Sequence, residues 1–138
     1  SDIFIIKDND IKAFGRLRPV DIYIQEKAYH IWGIGSIIAI EKGRGYGNML
    51  IEDMITFQGN NPRDAVIGFC NSDIAQFYSK CGFSILNDGA ERFIYVDESD
   101  IEEKSKKEDV IFYPKDNKIM DILKQEARSS FKHYIPKW

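Results

Sequence analysis

The passage from residue 29 to residue 55 restricts the fold more than any other. An apolar, β-branched run, "YHIWGIGSIIAI", passes through Glu41 and Lys42 into "GRGYGNMLIEDMI". There the hydrophobic period changes from that of a strand to that of a helix. Gly43, Gly45 and Gly47 stand at alternate positions across the change, with Arg44 and Tyr46 between them. Ile37, Ile38, Ala39 and Ile40 are apolar on both faces, which predicts a central strand covered on both sides. Met49, Leu50, Met54 and Ile55 make one helical stripe, with Glu52 and Asp53 facing away. Glycines directly before a helix leave its first N–H groups open to a close approach, and such an end attracts anions. Two readings stand: a phosphate cradle, or a turn that only redirects the chain. The Lys-Ser/Thr pair of an ATP-binding loop does not follow the last glycine, and the spacing is not that of the dinucleotide fingerprint.

The flanking segments supply the frame. "DIFIIKD" reads as a strand, and "IKAFGRLRPVDIYIQE" as two strands or one bent at Pro19. "GNNPRD" is a loop and "AVIGFC" a buried strand. "NSDIAQFYSKCGF" starts with the N-cap residues Asn71, Ser72 and Asp73, carries Ile74, Phe77 and Tyr78 at helical spacing, and meets a helix stop at Gly82. "FSIL" and "RFIYV" are strands about the turn "NDGAE", "DESDIEEKSKKED" is a charged loop, and "VIFYP" a last strand. "DNKIMDILKQEARSSFKHY" reads as an amphipathic helix with Ile119, Ile122, Leu123 and Ala127 on one side. The expectation is one α/β domain over residues 1–138, a mixed sheet with helices packed on it.

Composition excludes several functions. Hydrophobic residues at 43% and charged residues at 30% belong to a folded chain. A net charge of -3 argues against nucleic acid, which needs an excess of Lys and Arg. Cys70 and Cys81 make no disulfide framework, and His30 and His133 are too few and too far apart for a zinc site. No run approaches the roughly 20 apolar residues of a membrane span, and the first residues alternate like a strand and not like a secretion signal. The expected setting is cytoplasmic, without membrane partners.

Two phrases in order, "KGRGYGNMLI" and "NSDIAQFYSKCGF", resemble the GNAT superfamily of N-acetyltransferases. Lys42, Gly45 and Gly47 fall on its acyl-CoA loop, with Lys where Arg or Gln is usual. Ala75, Phe77 (one residue early), Tyr78, Gly82 and Phe83 fall on its Ala-x-x-Phe-Tyr-x-x-x-Gly-Phe phrase. The resemblance implies a GNAT-like acyl-CoA N-acyltransferase fold and direct acetyl transfer from acetyl-CoA to a primary amine of a small molecule. It further implies that Lys42, Gly43, Arg44, Gly45, Tyr46, Gly47 and Asn48 hold the CoA diphosphate. The strand edge at Ile38, Ala39 and Ile40 pairs with the pantetheine arm, with Asn71 and Phe77 also in the cofactor site. A backbone N–H near Ile38 steadies the developing oxyanion, and Tyr78 protonates the leaving thiolate. Asn71 has a second reading as a helix N-cap, and Tyr78 as a core aromatic.

The chain also departs from that pattern. The strand glutamate that serves many members as base is missing, and its place falls at Ser36 or Ile34. Ser36 is assigned a catalytic place as an anchor for a water. His30, Glu41, Asp73 and the chain terminus are the other candidates for the base. The family's first strand and two acceptor-side helices have no counterpart before Ser1, which leaves three expectations: a truncated form, a C-terminal helix over 116–133 that closes the acceptor side instead, or a partner subunit that supplies the missing wall. The ending in Trp resembles the aminoglycoside 2'-N-acetyltransferase branch, which implies that the Trp138 carboxylate and Asp88 meet substrate ammonium groups. The other reading has Trp138 anchoring the last turn on the core. Oligomeric state stays open, a homodimer being the arrangement the resemblance offers. A non-catalytic CoA-binding module of the same fold is the alternative function.

Overall fold

The structure is a computed structural model that describes residues 2–40, 43–96, 102–104, 107–125 and 129–132. Strand β1 (Asp2–Asp8) turns at Asn9 into the 15-residue β2 (Asp10–Ile24). A turn with positive φ at Gln25 and Glu26 leads into β3 (Lys27–Ala39). Helix α1 (Tyr46–Asn60), β4 (Ala65–Cys70), α2 (Ser72–Lys80) and β5 (Ser84–Leu86) follow. A 3-10 turn (Gly89–Arg92) leads to β6 (Phe93–Val96) and β7 (Glu102–Lys104), then β8 (Asp109–Tyr113), α3 (Lys118–Lys124) and β9 (Ser129–Lys132). All the strands join one mixed sheet in the order β5-β8-β4-β3-β2-β9-β6-β7, with β1 on β2. Among the described residues no helix is long and apolar enough to cross a membrane.

Alternation along the central strands divides the core into two layers. Val20, Ile22, Ile24, Ile31, Ala65, Ile67, Val110 and Phe112 face α3 (Ile119, Met120, Leu123) and Phe93. Leu17, Trp32, Ile34, Val66 and Ile111 face α1 (Leu50, Ile51, Met54) and α2 (Ala75, Tyr78). The α1–β4 loop is tied down by polar contacts. Gln58 Nε2 donates to the Arg63 carbonyl (2.8 Å), Trp32 Nε1 donates to the Asn61 carbonyl (2.9 Å), and the Arg63 guanidinium lies 4.7 Å from the Trp32 ring centre.

Several sequence expectations change. The second strand is continuous. Pro19 lies between the part of β2 that pairs with β1, ending at Leu17, and the part that pairs with β9, starting at Asp21. A residue with no N–H is tolerated where that edge has no partner strand. The buried stripe of α1 is Leu50, Ile51, Met54 and Gln58, while Met49 is exposed. The strands at 84–86 and 93–96 do not pair with each other: β5 lies on β8, and β6 lies between β9 and β7. The charged loop contains β7, and the long C-terminal helix ends at Lys124. Beyond it, β9 covers the edge of β2 at residues 21–24, whose backbone groups β1 does not reach. Ala127 lies outside the described residues.

One irregularity shapes the centre. Arg16 pairs with Gly35 and Phe14 with Ile38, so Ser36 and Ile37 together oppose Gly15, a β-bulge in β3. A Cβ on Gly15 would overlap Ile37 Cδ1 and stand 2.8 Å from Met54 Cε and 3.2 Å from Leu50 Cδ2. Gly15→Ala is expected to cost about 1–3 kcal/mol by overpacking. It should lower the urea unfolding midpoint at constant m-value; an unchanged midpoint would mean that the bulge is not pressed against α1.

Candidate functional site

The glycine run forms an open turn. Gly43 and Gly45 both have φ +79°, a conformation that strains other residues, and among the described residues nothing lies within 4 Å of a Cβ placed on either. Gly45 is the N-cap of α1 and has no capping side chain; the first intrahelical bond is Met49 N–H to the Gly45 carbonyl (3.1 Å). The N–H groups of Tyr46, Gly47 and Asn48 therefore have no intrahelical acceptor, and no acidic residue occupies the first turn. Arg44 is exposed beside them. Lys42 lies outside the described residues. Two contacts invisible in the sequence hold this turn: Tyr46 Oη donates to Asp8 Oδ2 (3.1 Å), and the Cys81 thiol donates to Asn48 Oδ1 (3.2 Å). Gly47 is small because the Phe77 ring would stand 3.3 Å from its Cβ, so α1 and α2 meet there.

Next to the turn, the sheet opens. β3 and β4 pair only through Ile31–Ala65, Trp32–Val66 and Gly33–Ile67. From Ile34 onward β3 follows β2 alone, and from Gly68 onward β4 follows β8 alone. The strand tail is not covered on both sides as its composition suggests: Ile38 is 47% exposed and Ile40 61%. Of the three residues expected to offer a free edge, Ile40 donates its N–H to the Lys12 carbonyl (2.8 Å), on the β2 side. Backbone alternation leaves Ala39 facing the gap. Asn71 ends the other arm of the gap. It occupies the N-cap position of α2, but its exposed side chain makes no capping bond.

Tyr78 is 5% exposed in the layer between sheet and helices. A Schellman motif fixes it: Phe83 N–H bonds to the Tyr78 carbonyl (3.1 Å), Gly82 N–H bonds to the Ser79 carbonyl (3.2 Å), and Gly82 takes φ +94°. The Tyr78 ring meets Phe83 edge-on at 5.5 Å and Phe77 at 5.2 Å. Burial first, then the neighbouring Cys70 and Cys81, push its phenol well above the usual range. The phenol therefore stays protonated. Burial also raises Cys81, followed by Glu52, which makes it a poor nucleophile.

The remaining candidates divide by position. His30 stands at the far end of β3, bonded through Nδ1 to Asp21 Oδ1 at 2.6 Å. Nine residues, or roughly 30 Å of strand, separate it from Ala39, so the structure removes it from the site. Asp73 is exposed in the first turn of α2. Ser36 lies in the bulge, on the part of β3 that has left β4. Asp88 is exposed at φ +53°, and its N–H donates to Asp109 Oδ1 (2.8 Å). Asp109 pairs with Cys70, which puts Asp88 at the same end of the sheet as Asn71. Glu41 and Trp138 lie outside the described residues.

Solved structures share this architecture. The chain superposes on an N-acetyltransferase from Staphylococcus aureus Mu50 with a TM-score of 0.56 and 21% identity, covering 80% of this chain and 65% of that one. It superposes on a GNAT family N-acetyltransferase (YhbS) from Escherichia coli in complex with CoA, with a TM-score of 0.57 and 13% identity over 94% and 65% of the two chains. The fold is that of the GNAT acyltransferases. N-acetylglutamate synthase from Neisseria gonorrhoeae, complexed with coenzyme A and N-acetyl-glutamate, gives a TM-score of 0.53 and 10% identity over 81% of this chain and 25% of that one. The chain thus spans no more than 65% of the length of any of these three. No protein-family model and no curated protein matches it in sequence.

Burial, then Asp109 and Glu108, push the Cys70 thiol up from 9.0 to about 11. The folded chain keeps a proton that the unfolded thiol releases. Stability from this group is therefore whole below pH 9.0 and declines as the pH rises towards about 11. Cys70→Ala should flatten the fall in urea-unfolding stability across that interval; an unaltered slope would contradict the assignment.

Proposed function

We propose that the chain is an acetyl-CoA-dependent N-acetyltransferase that acts on a primary amine of a small molecule. The single observation that carries the reading is the gap between β3 and β4, which opens beside a glycine turn where no described residue crowds Gly43 or Gly45. The residues fit the cofactor. The amides of Tyr46, Gly47 and Asn48 suit a diphosphate, with the Arg44 charge beside them. The unpaired edge of β3 about Ala39, lined by Ile38 and Ile40, suits an extended amide-bearing arm, and the Asn71 side chain stands across the gap. Lys42 belongs to the same proposed turn by sequence.

Bound there, acetyl-CoA supplies an activated acetyl thioester for an amine to attack. The chain's own residues hold the diphosphate and the arm, keep water away from the apolar mouth, and donate a proton at the Tyr78 hydroxyl. A phenol raised by burial is a weak acid, yet a thiolate leaving in equally dry surroundings is a stronger base than in water, as the raised Cys70 illustrates. Ser36, in the bulge, is assigned to ordering a water that relays the proton from the amine. The aminoglycoside reading of the acceptor would rest on Trp138, which lies outside the described residues, and on Asp88, whose neighbour Asp109 pairs with Cys70 at the end of β4.

Acetyl-CoA at high excess should raise the thermal midpoint by mass action. Tyr78→Phe should lower turnover about a hundredfold or more and keep that thermal protection. Absence of protection in the wild-type chain would defeat the reading. Protection without acetyl transfer to any amine of a broad panel would leave a CoA-binding module.

A further inference from the structure

We propose that the chain associates with a second copy of itself through strand β1 of each, paired antiparallel and centred on Phe4, so that the two sheets join into one. The inference is independent of the acetyltransferase reading.

An open sheet carries unpaired N–H and C=O groups along its edges, and folded proteins blunt such edges by keeping them short or charged. Two edges here follow that rule. β5 and β7 end the strand order with three residues each, and β7 reads Glu-Glu-Lys. The edge of β1 does not follow it. β1 has seven residues, is apolar without a break from Ile3 to Ile6, and pairs with no strand but β2 among the described residues. Its one irregularity falls between Ile6 and Lys7, which leaves the stretch from Asp2 to Ile6 regular. Phe4 and Ile6 pack in the layer of α1 and α2, whereas Ile3 is 67% exposed and Ile5 48% on the other face. Phe14 stands opposite Ile5, and the exposed Ile38 opposite Phe14, so one apolar row crosses three strands and ends at the free edge. An unpaired backbone edge with an uncovered apolar row beside it suits an added β-strand.

The strand fits a copy of itself. When both copies offer the same edge of β1, the pair has a two-fold axis perpendicular to the sheet. That axis runs the two strands antiparallel and keeps α1 and α2 of both copies on one face. Residues opposite each other in an antiparallel pair point to the same side, so odd positions must face odd ones. Registers centred on Ile5 or Ile6 run through the irregularity and set Ile3 or Ile5 against Lys7. The one centred on Ile5 also sets Asp2 against Asp8 at both ends, a like-charge contact. A register centred on Ile3 pairs fewer residues of the strand. The register centred on Phe4 uses only the regular stretch. It sets Phe4 against Phe4 and, on the exposed face, Ile3 against Ile5 twice, with no like charges opposed. The isoleucines then cover one another in a row that Phe14 and Ile38 of each copy extend. This match of pattern and charge selects a second copy over an unrelated strand.

The test is the mass of the 138-residue chain in solution, by sedimentation equilibrium up to high micromolar concentration. The wild type should reach twice the monomer mass. Ile3→Lys with Ile5→Lys in one chain opposes like charges in both isoleucine pairs and should weaken the dimer about tenfold or more. Ile3→Lys with Ile5→Glu opposes unlike charges in the same pairs and should recover most of that loss. Both positions are exposed in the single chain, so the core is left alone. If a double variant fails to fold, the wild type still decides: amide exchange in β1 should slow as the chain concentration rises, with the amides of β4 unchanged. A wild type that stays monomeric overturns the proposal and leaves the edge to a strand of another protein. A dimer that both double variants hold equally, masses that grow past the dimer, or exchange in β1 that ignores concentration also overturn it.

Discussion

Only three residue pairs hold β3 to β4, and the site depends on there being so few. Past Gly33 and Ile67 each strand keeps its outer neighbour and loses its inner one. Backbone N–H and C=O groups left without a partner need water or a ligand. The helix that follows each strand starts at the rim of the opening, α1 after β3 and α2 after β4, so both positive helix ends converge on it. The bulge at Ser36 and Ile37 bends β3 in the same place, and the absence of a side chain at Gly15 makes room for it under α1.

Among the described residues the opening is closed on one side only. On the helical face, the Cys81–Asn48 bond and the contact of Phe77 with Gly47 tie α2 to the start of α1, and the Schellman turn at Gly82 presses Tyr78 and Phe83 into the layer beneath. On the opposite face, α3 and Phe93 protect the sheet over the far halves of β2 and β3 and stop short of the gap. The buried Tyr78 ring on the helical side gives the opening two different faces; under the proposed function, thioester and amine would meet between them.

Much of this was legible in the residues. The glycine run before a helix, the strand Ala65–Cys70 and the helix from Ser72 stand where spacing and cap chemistry put them, and the mixed sheet follows from their order. What was not legible depends on pairing between distant segments. Ile38 and Ile40 look like core because a run of isoleucines carries no record of the strand that is missing beside it. The segment at 129–132 looks helical by local pattern and becomes a strand because β2 offers an unpaired edge. His30 looks available as a base until β3 is seen to run away from the gap.

Amide hydrogen exchange with and without CoA tests the central claim most directly. The account predicts slowed exchange at Tyr46, Gly47, Asn48 and Ala39 when CoA is added in excess, with little change at Ile31–Gly33, which β4 already pairs. Exchange that stays fast at those four amides, with protection absent or confined to other parts of the sheet, would contradict it.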